Sequence, residues 1–222
     1  MYLIISDTHI GDRHSNKFLP GLFSVLKKYS QYDNCHLVLN GDIIDWAKHL
    51  GFDERHRVFF TLIGKFKKIT YIEGNHDWFV AGLKDVIPCI SFKEELLLHL
   101  DNKIVRIIHG HQTDFWATKL PRFNRFLIKF NHWGYNLINV DVQHKVRKTW
   151  LVQKFLLERQ EKKLIRKENI ANVLIAGHTH RPCVRECDGI VYYNTGDWVE
   201  ADHRAFVIID DQNNIELIKY EG

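Results

Sequence analysis

Cysteine is scarce in this chain, with four residues among 222, too few and too scattered for a disulfide framework. Cys183 and Cys187 are the only close pair, with three residues between them, and no two further ligands nearby would complete a structural zinc site. The thiols read as buried or loop residues in a reducing compartment. Also missing is any apolar window approaching the roughly 18 residues that a membrane span requires. The chain enters a strand pattern at once, at Tyr2-Leu3-Ile4-Ile5, which leaves no room for a signal peptide. Internal repeats and low-complexity tracts are absent. Together these lacks predict a cytoplasmic protein, with association at the inner face of a membrane left open. What remains is ordinary for a single globular enzyme domain over residues 1–222, with 45% hydrophobic and 26% charged residues.

Charge is distributed unevenly. Between Phe115 and Glu168 stand 13 Lys and Arg against 4 Asp and Glu, a local +9, within a chain whose formal net charge is +4. The remainder is acidic. That contrast concerns partners, not fold.

Five short motifs follow one another in the acidic body, each at the end of an apolar run. They are Asp7-Thr8-His9, Gly41-Asp42-Ile43-Ile44-Asp45, Gly74-Asn75-His76-Asp77, His109-Gly110-His111 and Gly177-His178-Thr179-His180. The preceding runs are Tyr2–Ser6, His36–Leu39, Ile69–Ile72, Ile104–Ile108 and Val173–Ala176, whose length and β-branching predict strands. Amphipathic stretches of helical period lie between the first few: Leu22, Val25/Leu26 and Tyr29, then Val58/Phe59, Leu62 and Phe66. Asp7, Asp42, Asn75 and His109 follow at intervals of 35, 33 and 34 residues. A βαβ unit takes about 30 or more, so each interval has room for one strand-to-strand crossover, bringing the ligands to one edge. The third interval need not be a plain helix, because Ile90–Leu100 can pair as strands. After His180 the pattern returns to strands at Ile190–Asn194, Arg204–Ile209 and Ile215–Tyr220.

Asp, Asn and His converging from five segments suit a pair of divalent cations and phosphate-ester cleavage. Asp7 and His9, one residue apart at a strand end, project to the same face and can share a metal. His178 and His180 have the same spacing. Asp42 is placed to bridge two ions, and Asn75 offers a neutral carbonyl oxygen that, with His109 and one of the late histidines, completes a second site. Such a pair lowers the pKa of a water between the ions and offsets charge on phosphate oxygens, so no Ser or Cys nucleophile is required. His76 follows Asn75 directly and is better used to stabilise phosphoryl charge or protonate the leaving oxygen. Asp77 or Asp45 is available to fix its tautomer. His111 and Asp114 read as supporting or loop residues, and His14, His36, His49, His56, His99, His132, His144 and His203 as surface or packing residues.

These motifs resemble those of the calcineurin-like metallophosphoesterases, and the resemblance covers nearly the whole chain. It implies one metal on Asp7, His9, Asp42 and His180, a second on Asp42, Asn75, His109 and His178, and His76 as the catalytic histidine. The implied fold is α/β: a βαβ-based sandwich of two mixed sheets flanked by helices. The implied metals are Mn²⁺, with Fe or Zn in some members. Within that superfamily the chain is most similar to the UDP-2,3-diacylglucosamine pyrophosphohydrolase group of lipid A synthesis. That similarity rests on His178-Thr179-His180-Arg181-Pro182, on Gly196-Asp197-Trp198, on size and on the basic insert. The best-known members carry Arg where this chain has His76.

The last interval, His109 to His178, is 69 residues, about double the others, and the excess coincides with the basic segment at about 115–168. Leu120, Phe123, Phe126/Leu127, Phe130, Trp133 and Leu137 recur there at helical spacing, with Lys119, Arg122, Arg125 and Lys129 elsewhere on the turn. A second run, from about Val142 to Lys167, has Val146, Trp150, Phe155 and Leu164 among nine basic residues. A helical lid over a polyanionic, lipid-linked nucleotide explains the apolar stripe and the charge together, with Arg122, Arg125, Lys129 and Arg181 as candidate anion contacts. An anionic bilayer is a further candidate partner. Two rivals stand beside this reading. A phosphodiesterase or nuclease would track a phosphate backbone with the basic helices, but the aromatics sit at core-like spacing, which disfavours nucleic acid. A non-catalytic scaffold of the same fold should have lost ligands, and this chain has lost none.

Overall fold

The computed structural model describes residues 1–12, 14–45, 53–77, 90–113 and 152–222. Arg122, Arg125, Lys129, Asp114 and the aromatic stripe from Leu120 to Leu137 lie outside the described residues, as do His49, His132 and His144.

Strands β1 (Tyr2–Ile5), β2 (His36–Asn40) and β3 (Lys68–Ile72) form where the apolar runs predicted them. They pair in parallel, with Tyr2 opposite His36 and His36 opposite Lys68. Parallel strands are covered on both faces, which is why they read as unbroken apolar runs instead of alternating ones. Leu3, Ile5, Leu37, Leu39, Ile69 and Tyr71 point to one side, into a core shared with α1 (Leu19–Tyr29) and α2 (Glu54–Ile63). Helix α1 carries a proline in its first turn and buries Leu19, Leu22, Val25, Leu26 and Tyr29, the expected stripe. Asp53 caps α2 by accepting the Arg55 and His56 N–H groups, and the His56 ring returns to the Asp53 N–H, closing a capping box.

From β3 the chain adds β4 (Ile90–Lys93), parallel to β3, and then changes sheet. The antiparallel pair β5 (Leu96–Leu100) and β6 (Lys103–Ile107) opens a second layer. The third interval is therefore not one crossover, and His109 arises from the second sheet. That sheet continues with β7 (Val173–Ala176), parallel to β6, then β9 (Ile190–Asn194) and, at its edge, β8 (Cys183–Cys187). The chain returns to the first sheet as β10 (Ala205–Ile209) and β11 (Ile215–Lys219), antiparallel beside β1. The result is a six-stranded mixed sheet, β11-β10-β1-β2-β3-β4, and a five-stranded one, β5-β6-β7-β9-β8.

Ile4, Val38, Ile72 and Val207 from the first sheet meet Leu98, Val105, Ile107 and Ile175 from the second, forming the core between them. On the far side of the second sheet, α3 (Glu158–Lys167) seats Leu164 and Ile165 against Leu174, Ala176 and Tyr192. A π-helical stretch, Val152–Leu157, leads into α3. Beyond the helix, Glu168 accepts the N–H groups of Asn169, Ile170 and Ala171 and turns the chain toward β7. The α/β sandwich of two mixed sheets is the expected fold. Among the described residues no helix is long and apolar enough to cross a membrane.

Candidate metal centre

The C-terminal ends of β1, β2, β6 and β7 meet at one end of the sandwich, stitched by loop hydrogen bonds. The Asp7 N–H donates to the Gly41 carbonyl at 3.0 Å, and the Gly177 N–H to the His109 carbonyl at 2.9 Å. Asn40 joins the two sheets by donating its side-chain N–H to the Ile108 carbonyl at 2.9 Å. Five proposed ligands there have left-handed backbones, with φ of +49° at Asp7, +44° at His9, +52° at Asp42, +66° at His178 and +60° at His180. Such values are uncommon outside glycine, and each costs of order 1–3 kcal/mol unless its surroundings hold it. Their gathering at one place marks a functional site. Two glycines make room for it. A Cβ on Gly74 would strike the Asp42 carboxylate, and one on Gly177 would strike the Asp7 carboxylate and the Ser6 hydroxyl.

Among the described residues three clusters could hold a metal; two consist of proposed ligands, Asp7 with His9 and His180, and Asp42 with His109 and His178, while the third joins His9 to Asp45 and His76. All six side chains of the first two are buried. In the first, His180 Nε2 stands 3.0 Å from Asp7 Oδ1, and His9 Nε2 stands 3.9 Å from it. In the second, His109 Nε2 lies 3.3 Å from Asp42 Oδ2. That same Asp42 oxygen is 4.0 Å from His9 Nε2, so it faces both clusters, as a bridging ligand must. The Asn75 carboxamide oxygen is buried without a hydrogen-bond partner among the described residues. The neighbouring His76 N–H donates to Asp42 Oδ1 at 2.8 Å, which sets this turn against the bridging carboxylate.

Electrostatics point the same way. Burial alone would raise the Asp42 pKa, but the rings of His109, His76 and His9 hold it well below the usual carboxylate range. Burial disfavours a charged His109, yet Asp42 and Asp7 outweigh it and push that ring up to about 10. Two dry carboxylates thus draw positive charge inward, as protons on imidazoles or as cations. Hard oxygen donors beside imidazole nitrogens, with Asn75 Oδ1 wanting a partner, fit two divalent ions of the Mn, Fe or Zn type. Manganese in particular is not singled out by this donor set.

The groups around the ligands sort the remaining expectations. Asp45 lies 3.4 Å from His9 Nδ1 and 3.6 Å from His76 Nδ1, so of the two carboxylates available to the His76 ring, Asp45 faces it. Asp77, expected as a catalytic residue, holds the ligand turns together: its carboxylate accepts the N–H groups of Asp42, Ile43 and Gly74 at 2.6, 3.2 and 3.0 Å. Burial and the Asp42 charge push its pKa up to about 7. His76 itself sits at the edge of the cluster, its ring 5.0 Å from that of His9. Arg181 directs a guanidinium N–H to Glu158 at 3.2 Å, tying the loop after β7 to α3.

Three contributions were not foreseen. Asp197 lies 3.1 Å from His180 Nδ1 and 3.3 Å from His203 Nδ1 while accepting the Val199 and Glu200 N–H groups. His180 and His203 hold its pKa low against burial. His203, expected as a surface or packing residue, is therefore joined to a ligand through Asp197. The Asn40 carbonyl stands 2.9 Å from His109 Nδ1. Asp197 and the Asn40 carbonyl fix the outward nitrogens of two ligand rings, the usual way a protein aims an imidazole at a metal. Asp197 had a signal in Gly196-Asp197-Trp198; a backbone carbonyl has none.

Solved structures with a similar overall course include an archaeal phosphodiesterase (15% identity, 98% of each chain, TM-score 0.49). A predicted phosphoesterase from Streptococcus pneumoniae TIGR4 is 21% identical over 98% of this chain and 88% of that one, with a TM-score of 0.42. A Vps29 single mutant from Entamoeba histolytica is 15% identical over 99% of each chain, with a TM-score of 0.46. Likeness at this level does not bear on activity. No curated protein matches the sequence. The model of the calcineurin-like phosphoesterase superfamily domain matches residues 1–214, nearly the whole chain. With that match over its two-cluster Asp/His centre, the chain belongs to the calcineurin-like phosphoesterase superfamily.

Proposed function

We propose that the protein is a dinuclear metal-dependent hydrolase that cleaves the pyrophosphate of a nucleotide-linked amphipathic substrate, of the UDP-2,3-diacylglucosamine kind. The observation that carries the chemistry is Asp42 facing both clusters at once, through one carboxylate oxygen. Asp7, His9, Asp42 and His180 would hold one ion, and Asp42, Asn75, His109 and His178 the other, with Mn²⁺ our choice. Such ions activate a water and offset charge on phosphate oxygens. Asp45 orients His76, whose Nε2 steadies the phosphoryl group and gives a proton to the departing oxygen. In balance, the oxygen of water joins phosphorus, one P–O bond of the pyrophosphate breaks, and the leaving phosphate takes a proton.

The substrate rests on sequence: His178 to Pro182, Gly196-Asp197-Trp198 and the +9 insert. In α3 the basic residues Arg159, Lys162, Lys163, Arg166 and Lys167 are exposed, which suits a polyanion or an anionic bilayer. We read the whole as one domain with the insert at about 115–168. Incubation of the UDP-diacyl sugar with enzyme and Mn²⁺ should release UMP. Turnover of simple diesters with no UMP release would remove the lipid-linked substrate and favour a nucleotide phosphodiesterase.

A further inference from the structure

Both late ligands, His178 and His180, occupy left-handed backbone, so their loop needs outside restraint. The residue between them supplies the handle. Thr179 donates its hydroxyl to Glu161 of α3 at 2.8 Å and accepts the Asn194 side-chain N–H at 3.0 Å. Asn194 also donates to the Gly177 carbonyl at 2.8 Å, so the loop is held on both sides of His178. Glu161 is 1% exposed, a costly place for a carboxylate unless its oxygens are used. Its second oxygen stands 3.2 Å from the Arg185 guanidinium of β8. Neither Glu161 nor Thr179 is required by the hydrolytic chemistry, and α3 is the end of the basic insert.

We infer that Glu161 is a positioning residue that, through the Thr179 hydroxyl, locks the His178–His180 loop in its metal-binding shape and ties the seating of α3 to the metal centre. This rests on the metal-centre reading above. Linkage makes the effect reciprocal: whatever loosens α3 weakens metal binding, and metal binding tightens α3.

The test is calorimetric titration of the full chain with Mn²⁺, on the wild type and on Thr179→Val, Glu161→Ala and Glu161→Gln, with thermal melts alongside. Thr179→Val and Glu161→Ala should each bind Mn²⁺ about tenfold or more weakly, the range expected when a group behind a ligand is removed. Combining them should cost little beyond the worse single change. Glu161→Gln keeps an acceptor for Thr179 and should recover most of the affinity. Turnover of a simple diester at saturating Mn²⁺ should stay within about threefold of the wild type, because the change lies in holding the ions. A merely structural role would lower melting temperatures and leave Mn²⁺ affinity alone. A folded Thr179→Val that binds Mn²⁺ as tightly as the wild type overturns the inference, even if Glu161→Ala fails to fold. A wild type that binds no metal overturns the metal-centre reading, and this inference with it.

Discussion

Asp45 and Asp77 are both fully buried carboxylates beside the ligand motifs, and the sequence offered them as equals for orienting His76. Their hydrogen bonds divide the work. Asp77→Ala strands three backbone N–H groups in a dry site, each worth about 1–3 kcal/mol. We expect a loss of about 3 kcal/mol or more in denaturant unfolding. Asp45→Asn removes the charge facing His9 and His76 while filling the same space. It should leave stability within about 1 kcal/mol of the wild type but lower kcat for a simple diester about ten- to hundredfold. Stable but inactive Asp77→Ala, beside fully active Asp45→Asn, would reverse the assignment. At this scale the ligands were legible, because each of the seven stands in a short motif with a chemical reason to be there. The supports were less so. A carbonyl such as that of Asn40 leaves no trace in residue type, and Asp197 and His203 gain meaning only when β10 returns beside β1.

Among the elements, β1, β2, β3 and β7 could be read in advance because strands buried on both faces leave long apolar runs, and β6 because its Ile104, Val105 and Ile107 keep a β-branched strand pattern around Arg106. β8 could not. Its Cys-Val-Arg-Glu-Cys mixes charge with apolar groups because it is an edge strand, with Val184 52% exposed. The left-handed ligand loops were also hidden, since strain follows from how loops meet and not from local preference. β2 supplies a test of stability. His36 is buried, its Nε2 2.9 Å from the Thr70 hydroxyl, and burial, with Lys68 and Lys93 adding, pushes its pKa down to about 4. In the unfolded chain the ring takes its proton near the ordinary value of 6.5. Above that pH neither state is protonated and the residue contributes no pH dependence. As pH falls from 6.5 toward 4 the unfolded state binds the proton first, so stability drops, then levels once the folded ring also titrates. The expected loss is about 3 kcal/mol by pH 4. Urea unfolding at stepped pH should show this limb in the wild type and a shallower one in His36→Gln. Equal slopes would contradict it.

At the scale of the whole molecule, two sheets with separate partners, one backed by α1 and α2 and the other by α3, close on each other so that their strand ends meet. The equal intervals between motifs made the first sheet's crossovers legible, but not that the third interval changes sheet. Only this closure lets Asp42 of the first sheet stand beside His109 of the second, and it makes metal binding a property of the folded sandwich. The most direct test is metal content by mass spectrometry after loading with Mn²⁺ and dialysis, for the wild type and Asp42→Ala. The account predicts about two ions per chain in the wild type and one or none in a folded Asp42→Ala. A wild type retaining no metal, or a variant retaining both ions, would contradict it.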